Sequence, residues 1–232
     1  MAQITREQAW LNSTTPNSLL RTLKGKRLPR QRRLFAVACC RRVLGEMADE
    51  LSRRAVEVAE SFADGLAGRE ELNTAYQAAQ AVAMHRVQRC QETLETEQAA
   101  AWALWRLAYA AQCACAPSQP DEASDQILKR AAHLSTERAN REKKAHSDLI
   151  RDIFGNPFRP VTIDPAWLEW NDGTVAKLAQ AIYDERAFER LPVLADALED
   201  AGCADADFLT HCRGPGEHAR GCWVVDLLLG KE

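Results

Sequence analysis

Five side chains toward the C-terminal end, Cys203, His211, Cys212, His218 and Cys222, are the residues of this sequence best suited to chemistry. His218 and Cys222 stand four apart, and Cys212 precedes His218 by six. Thiolates and imidazoles are the donors that tetrahedral zinc selects, so the set predicts a zinc site as the alternative to a protein without a cofactor. The spacing follows none of the common zinc-finger patterns. The competing expectation makes the cysteines small buried hydrophobes and leaves the histidines solvated. Between them runs Arg213-Gly214-Pro215-Gly216-Glu217-His218-Ala219-Arg220-Gly221. This loop either offers backbone amides with Arg213 and Arg220 to an anion near a helix start, or turns the chain sharply into its last helix. The second reading is preferred because no P-loop or dinucleotide fingerprint is present, and Arg213 or Arg220 then pairs with Asp226 or a carbonyl.

Other chemistry is thinner. There is no H-E-x-x-H, G-x-S-x-G or Walker sequence, which weighs against an enzyme without excluding one whose residues converge only in three dimensions. His146 with Asp148 and Arg151 reads as a polar helix face, and His85 and His133 have no local constellation. Nine cations, Arg21, Lys24, Lys26, Arg27, Arg30, Arg32, Arg33, Arg41 and Arg42, follow one another with no intervening acid. They suit either nucleic-acid phosphates or pairing with acids such as Glu46, Asp49, Glu50 and Glu57. The formal net charge of -3 excludes a molecule that is basic as a whole.

The elements that must position these groups read as helices throughout. The apolar residues are dominated by Ala and only 6% of residues are aromatic, which favours closely packed helices over β-sandwiches and predicts an all-α fold. Pro29 suits the first turn of a helix reaching about Leu44, and the apolar run Leu34 to Cys40 marks it as surrounded by neighbours. Leu51, Ala55, Val58 and Phe62 share one face of the next helix, which stops at Asp64-Gly65. Residues 70–114, with Leu72, Ala75, Ala79, Val82, Cys90, Leu94, Ala101, Leu104 and Ala108 at helical spacing, form a long helix or a kinked pair. Pro117 and Pro120 break it, and residues 121–154 return as the other arm of an antiparallel hairpin, although the alanine-rich inner face equally fits a self-associating coiled coil.

Gly155-Asn156-Pro157-Phe158-Arg159-Pro160 then separates a helical bundle, residues 1–154, from a compact helical module, residues 155–232. In that module Asp164-Pro165 opens a short helix carrying Trp167, Leu168 and Trp170. Stripes at Val175, Leu178, Ala179, Ile182 and at Leu191, Leu194, Ala195, Leu198 make a helical hairpin ending at Gly202, and Cys222 to Leu229 supplies a last helix ending at Gly230. Residues 1–7 carry no signal-like apolar stretch and no run is long enough to span a bilayer, so the expected address is the cytoplasm.

Lys177-Leu178-Ala179-Gln180-Ala181-Ile182 through Arg190-Leu191, followed by Leu194-Ala195-Asp196-Ala197-Leu198-Glu199-Asp200-Ala201-Gly202, resembles the bacterial repeat-companion domain. Ala197 stands where that domain usually has tryptophan, and Asp184-Glu185-Arg186-Ala187-Phe188-Glu189 replaces its aspartate-rich turn. The strings Leu34 to Arg42, Arg53 to Glu57, Phe154 to Pro160, His211 to Gly216 and Arg220 to Asp226 are similar to those of a large paralogous family of uncharacterised bacterial proteins. That likeness implies kinship and no activity. Repeat-companion modules stand beside repeat arrays, so the resemblance implies a role in protein interaction. The function expected from these readings is a helical interaction or scaffold protein that binds through Phe158, Trp167 and Trp170, with Arg213 and Arg220. The rivals are a zinc-stabilised nucleic-acid-associated protein and an unrecognised enzyme.

Overall fold

The computed structural model describes residues 5–26, 28–93, 95–118 and 120–231. Residues 1–4, Arg27 and Leu94, which enter the expectations above, lie outside the described residues. Among the described residues the chain forms twelve α-helices and no strand, as its alanine-rich composition predicts. None of these helices is long and apolar enough to cross a membrane.

The chain packs as two units, Met1–Lys26 with Ser147–Glu232, and Arg27–His146. The division therefore falls inside a helix instead of at residue 155, and the N-terminal residues group with the C-terminal ones. The reason is visible at α1 (Arg6–Asn12), whose Trp10 is buried. Arg151 donates to the Trp10 and Ser13 carbonyls at the end of α1, at 3.2 and 2.9 Å, and Asn156 donates to Glu7 at 2.9 Å. The glycine and prolines of 155–160 end a helix without separating two cores.

The unit of residues 27–146 is built from α3 (Pro29–Arg42), α4 (Glu50–Ala63), α5 (Arg69–Glu92), α6 (Glu95–Cys115), α7 (Glu122–Leu134) and the first part of α8 (Thr136–Phe154). Every residue from Leu34 to Cys40 is buried, as a helix enclosed by neighbours requires. The Arg33 guanidinium donates to the Ala114 and Ala116 carbonyls at 2.7 and 3.0 Å, covering carbonyls that the end of α6 leaves without helical partners. Residues 70–114 are a pair of helices that fold back on each other, split where Thr93 takes an extended ψ of 142°. The expected second arm, 121–154, is also a pair. Ser135 leaves the helical region, and its Oγ accepts from the Arg138 N–H at 3.0 Å to cap the next helix. Because α6 packs on both α5 and α7, the result is a bundle rather than one hairpin.

The run of cations is largely consumed by this packing. Arg30 pairs with Asp64, Arg32 with Asp121, Arg41 with both oxygens of Glu60 and Arg42 with both oxygens of Glu142. All eight cysteines are buried free thiols.

His146 lies on no polar face: it is fully buried, with Nδ1 2.7 Å from Ser124 Oγ and Nε2 3.6 Å from Glu142 Oε2. Its spacing with Leu149, Ile150 and Ile153 is that of an apolar stripe, which outweighs the flanking charges. Ser124 is buried too. Burial lowers the imidazole pKa from 6.5 to about 4, against the raising effect of Glu142 and with a smaller lowering by Arg42. The folded state therefore keeps His146 neutral while the unfolded chain protonates it below pH 6.5. Stability is unaffected by this group above that pH and falls as pH drops from 6.5 toward 4, by roughly 3 kcal/mol over the window. Denaturant unfolding of wild type and His146→Gln across this range checks it, since the variant's curve must be flatter by that amount.

The second unit contains α1, α2 (Pro16–Thr22), the end of α8, α9 (Pro165–Glu185), α10 (Leu191–Asp200), α11 (Ala206–Arg213) and α12 (Trp223–Leu228). Asp164 caps α9 by accepting from the Ala166 N–H at 2.9 Å. The helix is interrupted at Trp170–Gly173, where φ turns positive at Asn171, Asp172 and Gly173, so the tryptophans sit on a short first segment as expected. Phe208 is completely buried, 5.7 Å from the Trp167 ring and 5.0 Å from Trp223, among Leu191, Leu194, Leu198 and Val224. Gly155 has φ of 61°, and a Cβ there would come within 3.2 Å of the Trp223 ring, so only glycine suits this position.

Candidate functional site

Four elements converge within the unit that contains the C-terminal residues. The end of α8 supplies Asp152, the last turn of α11 supplies His211, the glycine-containing loop supplies His218, and Cys222 is the residue that caps α12. One donor atom from each lies within 4.8 Å of the other three. His211 Nε2 is 3.2 Å from Cys222 Sγ and 3.2 Å from Asp152 Oδ1, and His218 Nδ1 is 2.6 Å from the same oxygen. Asp152 Oδ2 accepts from the Ala219 N–H at 2.9 Å, which fixes the loop against the carboxylate.

The neighbours explain how the groups are held. The His211 ring lies 4.9 Å from that of His218 and 5.2 Å from Trp223. His218 Nε2 is buried with no hydrogen-bond partner among the described residues. Asp152 and Cys222 are buried, and His211 and His218 keep only edges at the surface. Burial pushes Asp152 up, but the hydrogen bonds and charges of His211 and His218 bring it below the usual carboxylate range. Burial and then the Asp152 charge push the Cys222 thiol well above its ordinary value, with hydrogen bonds from the Val225 and Val224 backbone acting the other way. A carboxylate, two imidazoles and a thiol at these separations form either a closed hydrogen-bond network or the ligand set of a metal ion.

Of the five residues anticipated for zinc, His211, His218 and Cys222 come together. Cys203 and Cys212 do not join them and are packed in the hydrophobic core of the same unit. Cys212 follows His211 directly on α11, and a step of one helical residue, about 100°, sends the two side chains to different faces. Burial, with Cys203 and Asp152 adding and Arg213 opposing, raises the Cys212 thiol to about 12. Asp152 was not anticipated, since a single aspartate on a charged helix carries no spacing signal.

The residues anticipated for interaction separate as well. Trp167 and Trp170 pack against the core, whereas Phe158 is exposed. Arg213 is held by Asp196 and Glu199, and Arg220 donates to the Tyr183 carbonyl and covers its ring at 4.9 Å. Both guanidiniums of the loop are therefore engaged. Phe158 instead borders a cleft of about 460 Å³ between α1 and α2, lined by Arg6, Ala9, Trp10, Ser18, Leu19, Arg21 and Thr22. Arg6 and Arg21 are exposed, have no ionic partner among the described residues, and face no carboxylate in the lining. No protein-family model, curated protein or solved structure matches the chain.

Proposed function

We propose that this chain is a helical protein-interaction protein, and that its binding surface is the cleft between α1 and α2 beside Phe158. The observation that carries the reading is the pair of exposed guanidiniums, Arg6 and Arg21, which have no ionic partner among the described residues and lie next to an exposed aromatic ring. Arginine and aromatic side chains at a concave surface are the groups that concentrate interface energy. The complementary partner is a protein segment carrying a carboxylate beside an apolar side chain. The likeness of residues 177–202 to a repeat-companion module supports the same class of function by analogy.

A nucleic-acid reading is weakened because Arg30, Arg32, Arg41 and Arg42 are already spent on carboxylates. Native affinity capture of the intact protein with and without nuclease tests the choice. The expected result is a stoichiometric protein that survives nuclease and is lost when Arg6→Glu and Arg21→Glu are combined, with helix content unchanged. Recovery that depends on nucleic acid and falls steeply with salt would contradict the reading.

A further inference from the structure

We propose that Asp152, His211, His218 and Cys222 bind one zinc ion in a closed structural centre that locks the end of α8 to α11, α12 and the loop between those two helices. The arrangement goes beyond the interaction reading and does not depend on it. Zinc bonds of about 2.0–2.3 Å in a tetrahedron place ligand atoms roughly 3.3–3.7 Å from one another. Two of the measured separations, His211 to Cys222 and His211 to Asp152, are 3.2 Å, close to those edges. The edge from His218 to Asp152, at 2.6 Å, must open by roughly 0.7 Å to reach the tetrahedral value. The remaining separations are at most 4.8 Å, so shifts of roughly 1 Å bring all four donors to tetrahedral spacing.

Charge and donor type favour the same conclusion. A thiolate and a carboxylate together neutralise a divalent cation, so the filled centre carries no net charge into a site where Asp152 and Cys222 are buried. Imidazole and thiolate select zinc over magnesium or calcium, which take oxygen ligands. Four protein ligands leave no position for substrate, which is the pattern of structural and not catalytic zinc. Three of the ligands also fall within residues 211–222, where Gly214, Gly216 and Gly221 let the chain bend back on itself between α11 and α12.

The test is metal analysis of the full chain purified without chelator, followed by cobalt(II) titration of the metal-free protein. About one zinc per chain is expected, and cobalt should give the intense visible bands of a tetrahedral site with a thiolate-to-metal charge-transfer band. Cys222→Ser should remove that band and weaken binding about 100-fold or more, at or beyond the range for outer-shell partners. Cys203→Ala should leave band and affinity intact. Wild-type protein that retains no zinc and gives no tetrahedral cobalt spectrum overturns the proposal, whatever the variants do. So does stoichiometric iron in place of zinc, or a charge-transfer band that depends on Cys203 and not on Cys222.

Discussion

Replacing Phe208 by Ala is expected to lower the stability of the unit containing residues 147–232 by about 3–5 kcal/mol, the cost of truncating a fully buried aromatic side chain. The site has little means of collapse. One neighbouring ring, Trp167, is set by the capped start of α9, and the other, Trp223, is pressed against the backbone at Gly155. Phe208 also precedes His211 by three residues on α11, so the two share a helix face. Loosening α11 should weaken metal binding along with stability. Urea unfolding followed by tryptophan fluorescence measures the first effect and cobalt titration the second. A loss of less than about 1 kcal/mol would mean that the core does not close around this ring.

The second large effect is removal of the metal itself. An ion that binds the folded and not the unfolded chain stabilises it by RT ln(1 + [L]/Kd), about 4 kcal/mol when free zinc exceeds Kd a thousandfold. Chelation should therefore lower the melting temperature substantially. Hydrogen exchange should rise first at α11, α12 and the end of α8, the elements that carry the ligands. The bundle of α3 to α7 contains none of the four ligands and should keep its protection. Identical melting curves with and without chelator would contradict a structural ion.

Much of the fold was legible in local patterns. The enclosed helix at Leu34 to Cys40, the Asp164-Pro165 start of α9 and the stops at Gly202 and Gly230 follow from short-range rules of burial, capping and left-handed glycine. A pair within residues 70–114 was one of two alternatives, but its break at Thr93 was not located, and the break at Ser135 was missed, because good helix formers surround both, although Ser135 offered a capping hydroxyl. The helix α11 was missed too, and its signal was Asp205, whose side chain accepts from the Asp207 and Phe208 N–H groups.

Long-range facts were less accessible. The grouping of Met1–Lys26 with Ser147–Glu232 depends on Arg151 reaching the carbonyls at the end of α1, a pairing that no local spacing announces. For the candidate site, the sequence pointed to His211, His218 and Cys222 through donor type and proximity along the chain. It also pointed to Cys203 and Cys212, because donor type alone says neither which face of α11 Cys212 occupies nor that Cys203, ahead of that helix, is packed in the core. Asp152 became visible only when the end of α8 met the loop at Ala219.

X-ray absorption at the zinc edge on the protein as purified tests the four-ligand centre. The expected spectrum fits one sulfur at about 2.3 Å and three nitrogen or oxygen ligands at about 2.0–2.2 Å. A shell with no sulfur, a shell with two or more sulfurs, or the absence of a zinc edge would contradict a centre built from Asp152, His211, His218 and Cys222.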